Sequence, residues 1–231
     1  MFIMRILTTF ILLITSLCTS VVYAGGVGLG VTRMVYSGST SQSLLDVRNT
    51  DKELSFLIQS WVENAEGQRS SDFVITPPLF VLKPEMENAV KVMFNGQPPA
   101  QDRETLYWIT VKAIPQSDKK SSSNTLQFAS ASRIKLFYRP DALTTKTNNE
   151  EWKNLRGEFH NGKIKIINPT PFYITTINMK VDGKNVKPIM IPPKNAVTLE
   201  ESFSNARQIS YQTINDYGAW TPESSLVLTV S

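Results

Sequence analysis

Apolar side chains recur at every second position along this chain, and no segment of useful length carries them at helical spacing. Leu54, Phe56, Ile58 and Val62 share one parity, with Trp61 on the other. Between Arg103 and Ile114, Leu106, Trp108 and Thr110 alternate with Tyr107, Ile109 and Val111. A period of two belongs to strands, whose successive side chains point to opposite faces. Pro-Pro pairs at 77–78, 98–99 and 192–193 punctuate these runs. Short strands separated by such turns predict an all-β chain built as sandwiches.

The pattern repeats in the second half with different residues. Lys163–Ile167 stops at Asn168-Pro169-Thr170-Pro171, and Phe172–Val181 runs into Asp182-Gly183, a hairpin-type turn. Leu199, Tyr211 and Leu226–Val230 supply further strands. In the first half, Ser43–Val47 leads into a turn at Asn49–Lys52. The break between the halves falls just after Pro140, where 141–149 is polar and free of aromatics. The expectation is two all-β domains, 25–141 and 142–231. The polar run Ser117–Asn124 reads as a flexible hairpin loop, Pro98–Asp102 as a surface loop, and glycine-rich Gly25–Gly30 as a flexible terminus.

The first 24 residues read as a leader. Met1–Arg5 carries one positive charge, Ile6–Leu17 is mostly apolar, and Val22-Tyr23-Ala24 ends with small residues suited to cleavage before Gly25. The apolar stretch is only about a dozen residues, too short for a comfortable membrane span, so export without stable membrane insertion is expected. Cys18 is the single cysteine, so the 207 residues after Ala24 have none and must hold together by core packing. Removal of Arg5 takes the net charge from +4 to +3. No dense Lys/Arg cluster suits nucleic acid.

Catalytic chemistry finds little material. His160 is the one histidine and sits in a polar turn, Phe159–Gly162, so neither a His-based metal site nor a Ser-His-Asp arrangement is expected. Gly25–Gly30 lacks the preceding strand and following helix of a phosphate loop. Glu63, Glu66, Asp102 and Glu104 could in principle supply paired carboxylates, but solvated or structurally paired acids are the default. No cofactor and no metal are expected.

A binding device remains. Arg133-Ile134-Lys135-Leu136-Phe137-Tyr138-Arg139-Pro140 sets three cations in an otherwise apolar strand, where each needs an anionic partner or costs stability. Upstream, Thr125–Ala131 alternates an apolar face through Leu126 and Phe128 that weakens at Ser130. From spacing alone Leu126 and Phe128 read first as core of their own domain. The second reading is a sheet edge open to strand addition.

Six ordered blocks carry a resemblance that spans the chain after the leader. They are Gly30–Arg33, Thr76-Pro77-Pro78, Gln101–Leu106, Ile134–Pro140, Asn168–Tyr173 and Ile214–Gly218. In these the chain resembles the periplasmic chaperones of the chaperone–usher pathway, which assemble pili and related surface fibres in Gram-negative bacteria. The resemblance implies two immunoglobulin-like β-sandwich domains set at an angle with a cleft between them. It implies that Arg33 and Lys135 grip the C-terminal carboxylate of a fibre subunit through charge-assisted hydrogen bonds. It implies that Leu126, Phe128 and Ser130 are the donor-strand contacts that plug the groove of an incomplete subunit. Ser130 departs from the family's bulkier hydrophobe. Glu104, Arg139 and Asp216 match an interdomain charge cluster. Lys135 has the opposite parity to Leu126 and Phe128, so a bulge or strong local twist is expected between them. The implied partners are fibre subunits and an outer-membrane usher, with self-capping homo-oligomers in the free state, and the implied location is the periplasm. The short 117–124 loop and the absence of cysteine after Ala24 fit the short-loop branch associated with multi-subunit pili. The competing readings are a secreted fibre subunit or adhesin and, more distantly, a secreted glycosidase.

Overall fold

The computed structural model describes residues 25–116, 128–144 and 150–230. Among the described residues nine strands build the first half: β1 (Val27–Leu29), β2 (Arg33–Ser37), β3 (Ser43–Asn49), β4 (Phe56–Asn64), β5 (Phe73–Thr76), β6 (Leu79–Leu82), β7 (Glu87–Phe94), β8 (Thr105–Pro115) and β9 (Ser130–Arg139). They form two sheets, ordered β1-β3-β7-β5 and β2-β9-β8-β4-β6. The inward parity of each strand supplies the core between the sheets. Leu45 and Val47 from β3, and Val90 and Val92 from β7, meet Ile58 of β4, Ile109 of β8 and Leu136 of β9, and all are fully buried.

The second half follows a short helix, α1 (Asp141–Thr144), and a 3-10 turn at Glu151–Asn154. Its strands are β10 (Arg156–His160), β11 (Lys163–Asn168), β12 (Ile174–Val181), β13 (Lys184–Asn185), β14 (Met190–Ile191), β15 (Asn195–Thr198), β16 (Gln208–Thr213) and β17 (Ser224–Val230). One curled sheet runs β13-β12-β16-β17-β10-β11-β15, with β14 on β12. Ile164, Ile166, Ile191, Ile209 and Tyr211 fill a separate core. The molecule is two immunoglobulin-like β-sandwiches, each with its own core, as expected.

Two expectations need correction. Gly25–Gly30 is no loose terminus: β1 pairs with β3 from Val27↔Asn49 to Leu29↔Val47. Glycines contribute backbone donors and acceptors to a ladder as well as any residue, so composition hid the strand. Nor is there a bulge within β9. Its pairing with β8 runs unbroken from Thr105↔Tyr138 to Ala113↔Ser130, which places Ser130 and Lys135 on opposite faces. The Ser117–Asn124 loop, Leu126 and the leader lie outside the described residues.

Candidate functional site

β9 has two unlike faces. Ile134, Leu136 and Tyr138 enter the first core, whereas Phe137 turns to the second domain and stacks on Tyr173 at 5.5 Å. Lys135 and Arg139 share the parity of Phe137, so these two cations of the strand line the junction instead of the core. β2 lies parallel to β9 with Arg33 directly opposite Lys135. Two cations 102 positions apart in sequence thus become cross-strand neighbours.

Each is held from the second domain. Arg33 is buried, and its Nη1 donates to the Ile214 carbonyl oxygen at 3.0 Å. Its Nε is buried without a hydrogen-bond acceptor among the described residues, and the guanidinium lies 5.8 Å from the Phe137 ring. Lys135 Nζ donates to Thr175 Oγ1 at 3.0 Å. Burial lowers the Lys135 ammonium from its ordinary 10.5 to about 8, and the neighbouring Arg33 charge adds to the fall. Burial also lowers Arg33, against the pull of Asp216 and Glu104. Two partly desolvated cations side by side repel one another, and a carboxylate set between them would relieve both.

The neighbouring charge cluster joins the domains. Arg139 Nε donates to Glu104 Oε1 at 2.9 Å, while Nη1 and Nη2 reach Asp216 Oδ2 and Oδ1 at 2.7 and 3.0 Å. Glu104 Oε2 accepts the Tyr173 N–H at 2.8 Å, and the Glu104 N–H donates to the Pro171 carbonyl at 2.9 Å. Glu104 is 3% exposed; burial pushes its carboxyl upward, with Arg139 and the Tyr173 N–H pulling back. Desolvation offsets much of the attraction in such a cluster, so fixed geometry is its clearer benefit. At the rim, Lys194 Nζ donates to Asp102 at 2.6 Å and ties the domains again.

The edge of β9 is the third component. β2 pairs with β9 only from Lys135 onward, so along Ser130–Ile134 the described residues provide a neighbour, β8, on one side alone. Ser130 has the core-face parity of Ile134 and Leu136 but is exposed, as is Phe128 at 77%. Phe128 therefore fills no core of its own domain. The face that holds Ile134 inside the sandwich continues into solvent at this end of the strand.

Other candidate residues are engaged structurally. Glu63 accepts from Arg133 Nε and from Trp61 Nε1, both at 2.8 Å, and the Arg133 guanidinium stands 4.3 Å over the Trp108 ring. His160 closes the β10–β11 hairpin opposite Lys163, with its Nε2 at 2.8 Å from Asn161 Nδ2. Among the described residues no group of His, Cys, Asp and Glu is arranged to hold a metal ion. No described helix is long and apolar enough to cross a membrane.

Comparison with known proteins decides the family. Residues 26–144 match the pili and flagellar-assembly chaperone model, PapD N-terminal domain, and residues 150–225 match the pili assembly chaperone PapD, C-terminal domain. The chain belongs to the PapD family of pilus-assembly chaperones. It is 45% identical over 201 residues to the probable fimbrial chaperone protein ElfD of Escherichia coli O157:H7, covering 86% of this chain and 85% of the relative. It is 42% identical over 206 residues to chaperone protein FimC of Escherichia coli K12, covering 88% and 85%. The periplasmic chaperone SfaE superposes with a TM-score of 0.74 at 42% identity, over 87% of this chain and all of that one. The SafB chaperone, solved in complex with the SafA pilin of Salmonella enterica, aligns with a TM-score of 0.79 at 31% identity, covering 90% and 98%. PapD-family membership assigns an assembly role rather than a catalytic one.

The parallel pairing that joins Arg33 to Lys135 cannot be read from spacing within either strand. Thr175, Ile214 and Tyr173 were missed as partners of the cations and of Glu104. The last two sit inside motifs recognisable in the sequence, Asn168–Tyr173 and Ile214–Gly218, without a role that composition reveals.

Proposed function

We propose that this PapD-family chaperone captures a fibre subunit in the periplasm by lending it β9 as a missing strand. The observation that carries the reading is the juxtaposition of Arg33 and Lys135 at the inner end of an open strand edge. The subunit's C-terminal carboxylate sits between the Arg33 guanidinium and the Lys135 ammonium. The subunit's last strand then runs along Ser130–Ile134, where backbone donors and acceptors await a partner. Leu126, Phe128 and Ser130 fill the subunit's groove from the opposite face of the strand. Anchor and plug need no common parity, because the carboxylate lies at the strand's edge and the groove covers one face.

Glu104, Arg139 and Asp216 hold the two working units, 25–141 and 142–231, at the angle that keeps the anchor open. The loaded chaperone delivers its subunit to an outer-membrane usher, and the next subunit's extension replaces β9. Cleavage after Ala24 releases the chaperone into the periplasm. Self-capping of free edges between copies protects the empty form. The rival reading as a fibre subunit is not favoured, because both halves match assembly-chaperone domains and the similar curated proteins are fimbrial chaperones.

The test is complementation in cells that lack the chaperone but express its subunits. Wild type restores subunit levels and surface fibres; Arg33→Ala, accumulating as a folded protein, restores neither. Normal fibres with Arg33→Ala would remove the anchor from the account.

A further inference from the structure

The Ile214–Gly218 motif meets the first domain at alternate residues. The Ile214 carbonyl accepts from Arg33, and Asp216 pairs with Arg139. Gly218 abuts Thr32: a β-carbon built on Gly218 would overlap Thr32 Oγ1, which forces one of them to move. Gly218 also has a φ of +83°, a region that side chains with a β-carbon rarely adopt. The turn is internally stiff. Asn215 Oδ1 accepts the N–H groups of Tyr217 and Ala219, the Gly218 N–H donates to the Asn215 carbonyl, and Ile214 bridges Trp220. A stiff turn moves as a body, so pushing its Gly218 end from Thr32 would also draw Ile214 from Arg33.

We infer that Gly218 is a positioning residue for the subunit anchor, seating the β16–β17 turn against Thr32 closely enough for Ile214 to orient Arg33. The inference rests on the proposed carboxylate anchor and adds a control on it from the second domain. Among the described residues Arg33 has one directed bond from that domain and an Nε without an acceptor, so its orientation depends on the turn. The Glu104–Arg139–Asp216 cluster sets the angle between domains; Gly218 sets the last fraction of their approach beside the anchor.

Two consequences of Gly218→Ala separate cleanly. The positive φ strains an alanine whatever its neighbours, and that part lowers thermal stability. The collision with Thr32 disappears in the Thr32→Ala/Gly218→Ala double variant, because Thr32 Cβ lies at an ordinary 3.7 Å. A purely structural role gives variants with lowered Tm and no rescue of binding. A positioning role gives binding that recovers in the double variant while the lowered Tm persists.

The experiment uses the whole mature chain and a synthetic peptide of about twelve alternating valine and serine residues, with a free C-terminal carboxylate or its amide. Binding is measured beside the Arg33 Nε–H NMR signal of the ligand-free protein. Gly218→Ala should weaken the acid peptide by about tenfold, leave the amide unchanged and move the Arg33 signal. The double variant should bring both back to within about threefold of the wild-type value and position. An unmoved Arg33 signal in Gly218→Ala, or a double variant that fails to restore it, overturns the inference. Should wild type bind acid and amide alike, the carboxylate anchor falls instead, and the ligand-free Arg33 signal still decides what Gly218 does.

Discussion

At the scale of single residues the site is a pair of cations that the fold leaves short of negative charge. Arg33 and Lys135 face one another across parallel strands, and their nearest fixed partners are a carbonyl and a hydroxyl. A charge-assisted hydrogen bond contributes about 1.5–3 kcal/mol, so either cation removed should weaken carboxylate binding by roughly that much. The ammonium also makes binding sensitive to pH. Free Lys135 loses its proton near 8 in the folded chain, against 10.5 unfolded. Below 8 both states are protonated, and the folded one bears the cost of a half-buried charge beside Arg33. Between 8 and 10.5 only the folded chain gives up the proton, so this group stabilises the free protein as pH rises through that window. Carboxylate binding needs the ammonium, so affinity should fall as pH climbs past 8, and Lys135→Arg should flatten the fall. A titration of subunit affinity from pH 6 to 10 checks this, and an equal decline in Lys135→Arg would assign it elsewhere.

At the scale of elements, β9 does two jobs with one pattern. Its inner half, from Lys135 on, belongs to a sheet with neighbours on both sides, and its outer half has one neighbour among the described residues. Phe128 is 77% exposed, so Phe128→Ala should leave the Tm unchanged. It should weaken subunit capture by about 1.5–3 kcal/mol, the worth of burying such a side chain. Calorimetry beside a capture assay separates the two; a fall in Tm with unchanged capture would return Phe128 to its own core. The strands β4, β11 and β17 were legible in the sequence because one face of each is buried, and β8 because its long β-branched and aromatic run is buried on both faces. β1 was not, since its glycines pair by backbone alone. A bulge or strong local twist, expected from the opposite parities of Lys135 and Phe128, does not occur as a bulge along Ser130–Tyr138. The continuous ladder keeps Lys135 and Ser130 on opposite faces, and Phe128 lies before the strand begins. The pairing of Arg33 with Lys135 depends on tertiary structure: no local pattern in either strand specifies which parallel neighbour it takes.

At the scale of the whole molecule, function depends on how two sandwiches meet. Arg139 is the hub, with Glu104 at 2.8 Å on one side and Asp216 at 2.7 Å on the other. Arg139→Ala leaves the Glu104 carboxylate buried without its cation, which should cost about 3–5 kcal/mol. Urea unfolding should show that loss, with the domains ceasing to unfold together. Asp216→Asn, at the more exposed end, should cost less, and equal losses would contradict a buried hub. The resemblance visible in six short motifs foretold two sandwiches and their charge cluster, whereas the contacts beside that cluster use backbone groups of Ile214, Tyr173 and Pro171. Backbone groups leave no mark on composition. The central claim is that a carboxylate held between the domains anchors the subunit while β9 completes its fold. Co-purification from the periplasm with the fibre subunit, wild type beside Lys135→Ala, tests it most directly. Wild type should yield a one-to-one complex that is lost in a folded Lys135→Ala, whereas equal recovery with both proteins would rule out the carboxylate anchor.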